Sequence, residues 1–256
     1  MQPLLVVLAL ICVESSRGFG GGMRSGMDMG IGFSRRIKDP EPHPSIPQDG
    51  ASSDEWYDQK LDHSSDSDGT TWKQRFFRRE TFYNYGKSQN MTNMPMFVMI
   101  GGEGEASPSW MQGGYWIEPA QKYNALLFML EHRFYGKSQP TEDLSLDNIQ
   151  YLHSQLALAD LVRFIKSMKE EYGMTDENKV ICFGGSYPGN LASWVRILYP
   201  NIIHASVASS APVEAKVDFH EALRLADGLA FGNKLIRKAD WSRISELKSF
   251  LPCRLV

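Results

Sequence analysis

Residues 181–194 read ICFGGSYPGNLASW: an apolar run, two glycines, a serine, and then what has the look of a helix start. A serine set between a buried strand and a helix has two readings. It caps the helix that follows, or it is a nucleophile held on a tight turn. The neighbouring segments decide between them.

Working outward, MFVMIGGEGE (96–105), NALLFMLEHRFYG (124–136), NKVICFGGS (178–186) and HASVASSAP (204–212) contain continuous apolar runs bounded by glycine or polar residues. They read as buried strands. Leu158, Leu161, Ile165, Met168 and Tyr172 fall at helical spacing over 154–172, closed by Gly173, and Pro188 to Tyr199 reads as a second helix. Fully apolar strands alternating with amphipathic helices predict an α/β fold, a mostly parallel sheet covered on both faces. TWKQRFF (71–77) and ETFYNYG (80–86) are aromatic and alternating and predict a two-strand meander, with Arg75, Arg78 and Arg79 on solvated strand edges.

In the nucleophile elbow of α/β-hydrolases the serine sits on a strained strand-to-helix turn, and the next backbone N–H faces the reacting carbonyl. Here that assigns Ser186 as nucleophile, the Tyr187 N–H as one oxyanion donor, and Gly184, Gly185 and Gly189 as the small residues that give room. The pattern G-x-S-x-G is met at Gly184 and Ser186 and fails at Pro188, although proline is tolerated in a helix's first turn. The loop after the third strand supplies the second donor in this architecture, which points to Gly102, Glu103 or Gly104. Glu103 and Glu105 either bind a substrate's amino group or are solvated. His132 is either a base or a structural histidine beside a Glu131–Arg133 pair; the second reading is preferred.

Four blocks carry a resemblance to a family: QKLDHSSDSDGTTWKQRFF, GGEGEASPSWMQGGYW, LEHRFYGKSQPTEDLSLDNIQYLHSQLALADLVRFI, and CFGGSYPGNLASWVRILYP with HASVASSAPV after it, together about residues 56–219. The sequence resembles the serine peptidases grouped with prolyl carboxypeptidase, dipeptidyl peptidase II and thymus-specific serine protease, the last above all. The resemblance implies an α/β-hydrolase fold with a helical insertion, peptide substrates with a preference near proline, carboxypeptidase or dipeptidyl-peptidase action, and a nucleophile at Ser186. The family usually has a small residue where Pro188 stands. In this fold the triad runs Ser, Asp or Glu, His along the chain. Asp218 and His220 are too close in sequence to act as orienter and base for Ser186, and His204 comes too early. The chain is therefore expected to stop in or near the insertion, without the Asp and His of the triad, and to show at most residual turnover alone. A non-catalytic secreted peptide-binding protein is the alternative; an esterase or lipase shares only the elbow.

The 256 residues carry a net charge of -3, with no concentrated excess of Lys and Arg, which argues against a nucleic-acid partner. Residues 1–15, MQPLLVVLALICVES, read as a secretory signal peptide cleaved after Ser15 or Gly18. Residues 16–54, rich in Gly, Met and Pro, read as a flexible leader, 55–219 as the N-terminal part of the hydrolase domain, and 220–256 as helical. Asn90-Met91-Thr92 is a glycosylation sequon. These features predict a secretory route ending outside the cell or in the lysosome, and no membrane span once the signal is removed. No CxxC pair or histidine cluster has metal-ligand spacing, so neither metal nor cofactor is expected. Cys182 reads as a buried small hydrophobe not bridged to Cys253. Peptides are the expected partners, and a homodimer is left open.

Overall fold

The structure, a computed structural model, describes residues 39–43, 53–64 and 69–213. The expected signal peptide, most of the leader, Asp218, His220, Cys253 and the 220–256 segment lie outside the described residues. Six strands, β1 (Glu55–Lys60), β2 (Thr71–Arg79), β3 (Met96–Ile100), β4 (Leu126–Leu130), β5 (Val180–Gly185) and β6 (Ala205–Ser209), form one sheet in the order β1-β2-β4-β3-β5-β6. β2 runs antiparallel to both β1 and β4, and the remaining pairs are parallel.

The apolar runs of β3 and β4 follow from this position. Successive side chains leave a strand on opposite faces. Met96, Val98 and Ile100 join one core cluster, and Phe97 and Met99 join the other. Two helices, α1 (Thr81–Ser88) and α2 (Ile117–Tyr123), precede β4, and the short α3 (Leu146–Ile149) leads into α4 (Ser154–Glu171); α5 (Tyr187–Leu198) follows β5. Leu158, Leu161 and Ile165 of α4 and Leu191 and Val195 of α5 cover the first face, while Phe82, Trp116, Ile117 and Ala120 cover the second. With both faces covered, no strand position in the middle of the sheet tolerates a polar side chain facing water. The helices over 154–172 and 188–199 and the turn at Gly173, with φ +61, lie where the sequence puts them.

Two expectations fail. Residues 80–86 are not the second strand of a meander: α1 occupies 81–88, with Phe82, Tyr83 and Gly86 buried on one helical face. Gly86 is close-packed there, since an added Cβ would meet the Cβ of Asn124 at 2.9 Å. The partners of β2 are instead β1 and β4. The solvated arginines are overturned as well. Arg75 and Arg79 are buried, because the segment after β3 packs over them, with Ala106 O accepting from Arg75 and Met111 O from Arg79. Arg79 donates to Met111 O at 2.7 Å, and half-buried Arg78 pairs with Glu55 and Glu171.

Within the segment expected as leader, Pro42 bridges Gly113 and His43 N–H donates to Gln112 O at 3.1 Å. Cys182 is fully buried and unbridged, and burial pushes its thiol pKa up. Among the described residues, no helix is long and apolar enough to cross a membrane.

Candidate active site

Ser186 lies between β5 and α5 with φ 59 and ψ -129, a backbone conformation that a residue with a side chain adopts only under strain. Its N–H donates to Ser209 O at 2.9 Å, which ties the turn to the end of β6. The capping reading fails: Ser186 occupies the N-cap position of α5, yet its side chain makes no cap hydrogen bond. The residue is exposed, so the hydroxyl is left for other use.

Crowding around the turn explains two of its glycines. A Cβ on Gly184 would run into the Pro188 carbonyl, and one on Gly189 would lie 2.9 Å from Ala211 Cβ and 3.1 Å from Ser209 O. Gly185 differs from expectation, since a Cβ there would meet only Ser209 O at an ordinary 3.8 Å. Pro188 sits in the first turn of α5, where its missing N–H has no intrahelical role. Tyr187 N–H, ahead of it, is one of the first-turn donors that lack a helical acceptor.

The second loop is held by a buried carboxylate. Glu131, just past β4, accepts from Arg75 Nε at 3.2 Å and a second Arg75 nitrogen at 2.5 Å, from Ala106 N–H at 2.9 Å, from Lys137 N–H at 3.1 Å and from Ser138 Oγ at 2.7 Å. The GGEGE loop thus ends on a fixed point at Ala106. At its start, Gly101 N–H donates to Leu130 O at 2.9 Å, and Gly102 abuts the Pro188 ring. The expected Glu131–Arg133 pair does not form. Arg133 turns to Asp160 of α4, at 2.6 and 2.7 Å, and Asp160 also holds His63 at 2.7 Å.

His132 is buried between these ion pairs. Its Nδ1–H donates to Arg133 O at 2.7 Å, and its Nε2 lies 3.1 Å from the Tyr187 hydroxyl. Burial holds its pKa below the ordinary value, against the opposing pull of the Arg133 carbonyl. A neutral ring donating through Nδ1 accepts at Nε2. Tyr187 O–H therefore donates to His132, and the Ser154 hydroxyl, 3.1 Å away, donates to Tyr187. The lone pair of His132 is thereby used by Tyr187. His204 is at the far end of the sheet: its N–H bonds to Val180 O at the start of β5, whose six residues span roughly 20 Å.

An open cleft of about 370 Å³ lies against this site, lined by Glu103, His132, Tyr135, Tyr187, Asn190 and Pro212 among others. Burial raises the pKa of both tyrosines, so both phenols stay protonated at neutral pH. Tyr135, His153, Ser154 and Asn190 carried no signal in the sequence reading, because they come from three segments that only the fold brings together. Among the described residues, no group of three or more His, Cys, Asp or Glu could hold a metal ion.

The strand order with β2 antiparallel, and the strained serine turn after β5, make the fold an α/β-hydrolase fold. The profile of the family described as Serine carboxypeptidase S28 matches residues 59–230, past the expected limit at 219. Thymus-specific serine protease of Mus musculus is 37% identical over 175 residues, covering 68% of this chain and 32% of that protein. Its Homo sapiens counterpart is 39% identical over 166 residues, covering 65% and 31%. Lysosomal Pro-X carboxypeptidase of Mus musculus is 32% identical over 161 residues, covering 62% and 32%. The chain spans about a third of the length of these curated relatives. On the match of its profile and these identities, the chain belongs to the serine carboxypeptidase S28 family.

Proposed function

We propose that this chain carries the nucleophile and oxyanion half of a serine exopeptidase. Ser186 attacks the scissile carbonyl, and Tyr187 N–H with one N–H from Gly102, Glu103 or Gly104 holds the oxyanion. The hydroxyl proton passes to a histidine oriented by a carboxylate, a pair that the described residues do not supply. The substrates are peptides cut near proline, as the name of the Pro-X carboxypeptidase relative suggests. The route is secretory, to the lysosome or outside the cell, with residues 1–15 as signal, 16–54 as leader and 220–256 as the start of a helical insertion or a divergent tail. The single observation that carries the reading is the Ser186 backbone, strained and exposed with its hydroxyl unused as a cap.

The test is labelling by a fluorophosphonate probe, applied to the purified chain and to the chain extended with the C-terminal two thirds of a relative, each beside Ser186→Ala. Labelling is expected only in the extended, unsubstituted protein. A folded extended protein that stays unlabelled overturns the reading. The commitment of His132 to Tyr187 favours a second reading for the chain alone, a non-catalytic peptide-binding protein. On that reading peptide affinity survives Ser186→Ala and extension adds no labelling.

A further inference from the structure

Glu131, His132 and Arg133 follow directly on β4, and all three are buried, at 0%, 5% and 0% exposure. Three consecutive polar side chains in an interior are unfavourable unless each finds partners. No polar atom of theirs is buried without one, and each side chain reaches a different part of the molecule. Glu131 holds the end of the GGEGE loop through Ala106 N–H, and Arg133 holds α4 through Asp160. His132 accepts from the Tyr187 hydroxyl at the start of α5. The backbone joining them is a contact surface too: a Cβ on Gly101 would lie 3.0 Å from both Glu131 Cα and His132 N, so the loop rests directly on it.

The serine turn is tied twice through its backbone, by Ser186 N–H to Ser209 O and by Gly189 and Asn190 N–H to Ser186 O. A strained conformation persists only where its surroundings over-determine it. The Tyr187 side chain supplies a third tie. Its hydroxyl lies 3.1 Å from both His132 Nε2 and Ser154 Oγ, and its ring centroid is 5.5 Å from that of the imidazole. The imidazole is held in turn, since its Nδ1–H donates to Arg133 O, and Arg133 is fixed by Asp160. Tyr187 opens α5, so its φ is helical. With φ set and the ring held at its far end, the direction of the Tyr187 N–H is fixed.

We propose that Glu131 and His132 are positioning residues that together set the separation of the two oxyanion donors. Glu131 fixes the loop that carries one donor, His132 fixes the Tyr187 N–H, and the single peptide bond between them is the gauge for both halves. The proposal rests on the hydrolase reading above for what the donors do. Neither side chain is free to meet substrate: the His132 lone pair is taken by Tyr187, and the Glu131 oxygens by Arg75, Ala106, Lys137 and Ser138. Oxyanion stabilisation depends on donors already in place, and a misplacement of about 1 Å costs on the order of 10²-fold in rate. Losing either hold therefore slows the chemistry without removing any group that takes part in it.

Hydrogen exchange in the full chain, read by NMR, needs no triad. The variants are His132→Leu, His132→Gln, Tyr187→Phe and the double His132→Leu with Tyr187→Phe. A glutamine amide, like a neutral imidazole, offers both an acceptor and an N–H donor, so it can hold Tyr187 and Arg133 O where leucine cannot. His132→Leu and Tyr187→Phe should each speed exchange at the Ser186 and Gly189 amides at least roughly tenfold relative to the Cys182 amide in the middle of β5. The double variant should add nothing, and His132→Gln should restore most of the protection. Equal speeding at all three amides, no speeding, or no rescue by glutamine overturns the proposal. Where His132→Leu fails to fold, Tyr187→Phe, which removes only a hydroxyl, decides alone. In the chain extended as above, His132→Leu and Glu131→Gln should each slow fluorophosphonate labelling at least roughly tenfold, with His132→Gln near the unsubstituted rate. Labelling that ignores both changes sinks the proposal and spares the nucleophile. If no extended protein labels, the nucleophile reading fails, and the exchange rates still decide whether His132 holds the turn.

Discussion

Gly102 and Pro188 stand in contact across the gap between the loop after β3 and the start of α5: a Cβ added to Gly102 would lie 2.6 Å from Pro188 Cγ. The proline that breaks the expected small-residue pattern therefore fills space that the glycine opposite leaves. Gly102→Ala should destabilise the protein, and Pro188→Ala in the same chain should restore part of the loss. Urea unfolding of the two single variants and the double variant measures the coupling, expected at about 0.5–3 kcal/mol for residues in contact. Additive effects would mean the two positions do not depend on each other.

Glu131 and Arg75 form a buried pair, 0% and 3% exposed in their side chains. Glu131→Gln removes the one fully buried carboxylate among the partners of Arg75 and leaves the more exposed Asp54 and Glu105, so the loss is expected at the lower end of the about 3–5 kcal/mol that breaking a buried pair costs. The variant should lower the urea midpoint and speed hydrogen exchange at the amides of Ala106 and Lys137, which the carboxylate holds. A change under about 1 kcal/mol would contradict the clamp.

The pH dependence follows from His132. Its folded-state pKa is depressed by burial below the ordinary 6.5. As pH falls through 6.5 the unfolded chain takes up the proton before the folded chain does, so stability is full above that value and declines below it. Denaturant midpoints at pH 7.5 and 5.5 should show the decline, and His132→Gln should flatten it. An unchanged slope in the variant would assign the acid sensitivity to other groups.

Asn90 is exposed, with φ 58, in the turn that ends α1, and Met91 and Thr92 are exposed after it. Expressed through a secretory pathway, the chain should carry one glycan there. Mass spectrometry before and after amidase treatment reads it, with Thr92→Ala as the variant that removes it.

Much of this architecture was legible in the sequence because it is dictated locally. β3, β4 and β5 are apolar at nearly every position, as strands covered on both faces must be, and the glycines at 184 and 189 announce a close passage of strand and helix. The misread segment was α1. Phe82, Tyr83 and Tyr85 are residues that favour strands, and what makes 81–88 helical is the burial of Phe82, Tyr83 and Gly86 on one side, set by tertiary packing. The arginines of β2 were unreadable for a similar reason, since Glu131, more than fifty residues away, meets Arg75 only once β2 lies beside β4. In the site, Ser186 and the GGEGE loop were visible as motifs. Asn190, Tyr135 and Ser154 were not, because no periodicity marks a residue that matters only through what faces it.

The parallel pairing of β3 with β5 joins Met96 to Val180 and Met99 to Phe183. During synthesis the β1–β2 hairpin can close while the ribosome is still producing α4, whereas the centre of the sheet waits for β5 to emerge. Until then the inner edge of β3 is open, and the turn at Ser186 is held only by the bonds its own carbonyl accepts from Gly189 and Asn190 N–H, since the Ser209 carbonyl that anchors its N–H is translated later still. The serine turn is thus among the last parts of the described chain to be tied to the sheet, and a nascent chain arrested before β6 would display the unfinished strands to chaperones with that tie still missing.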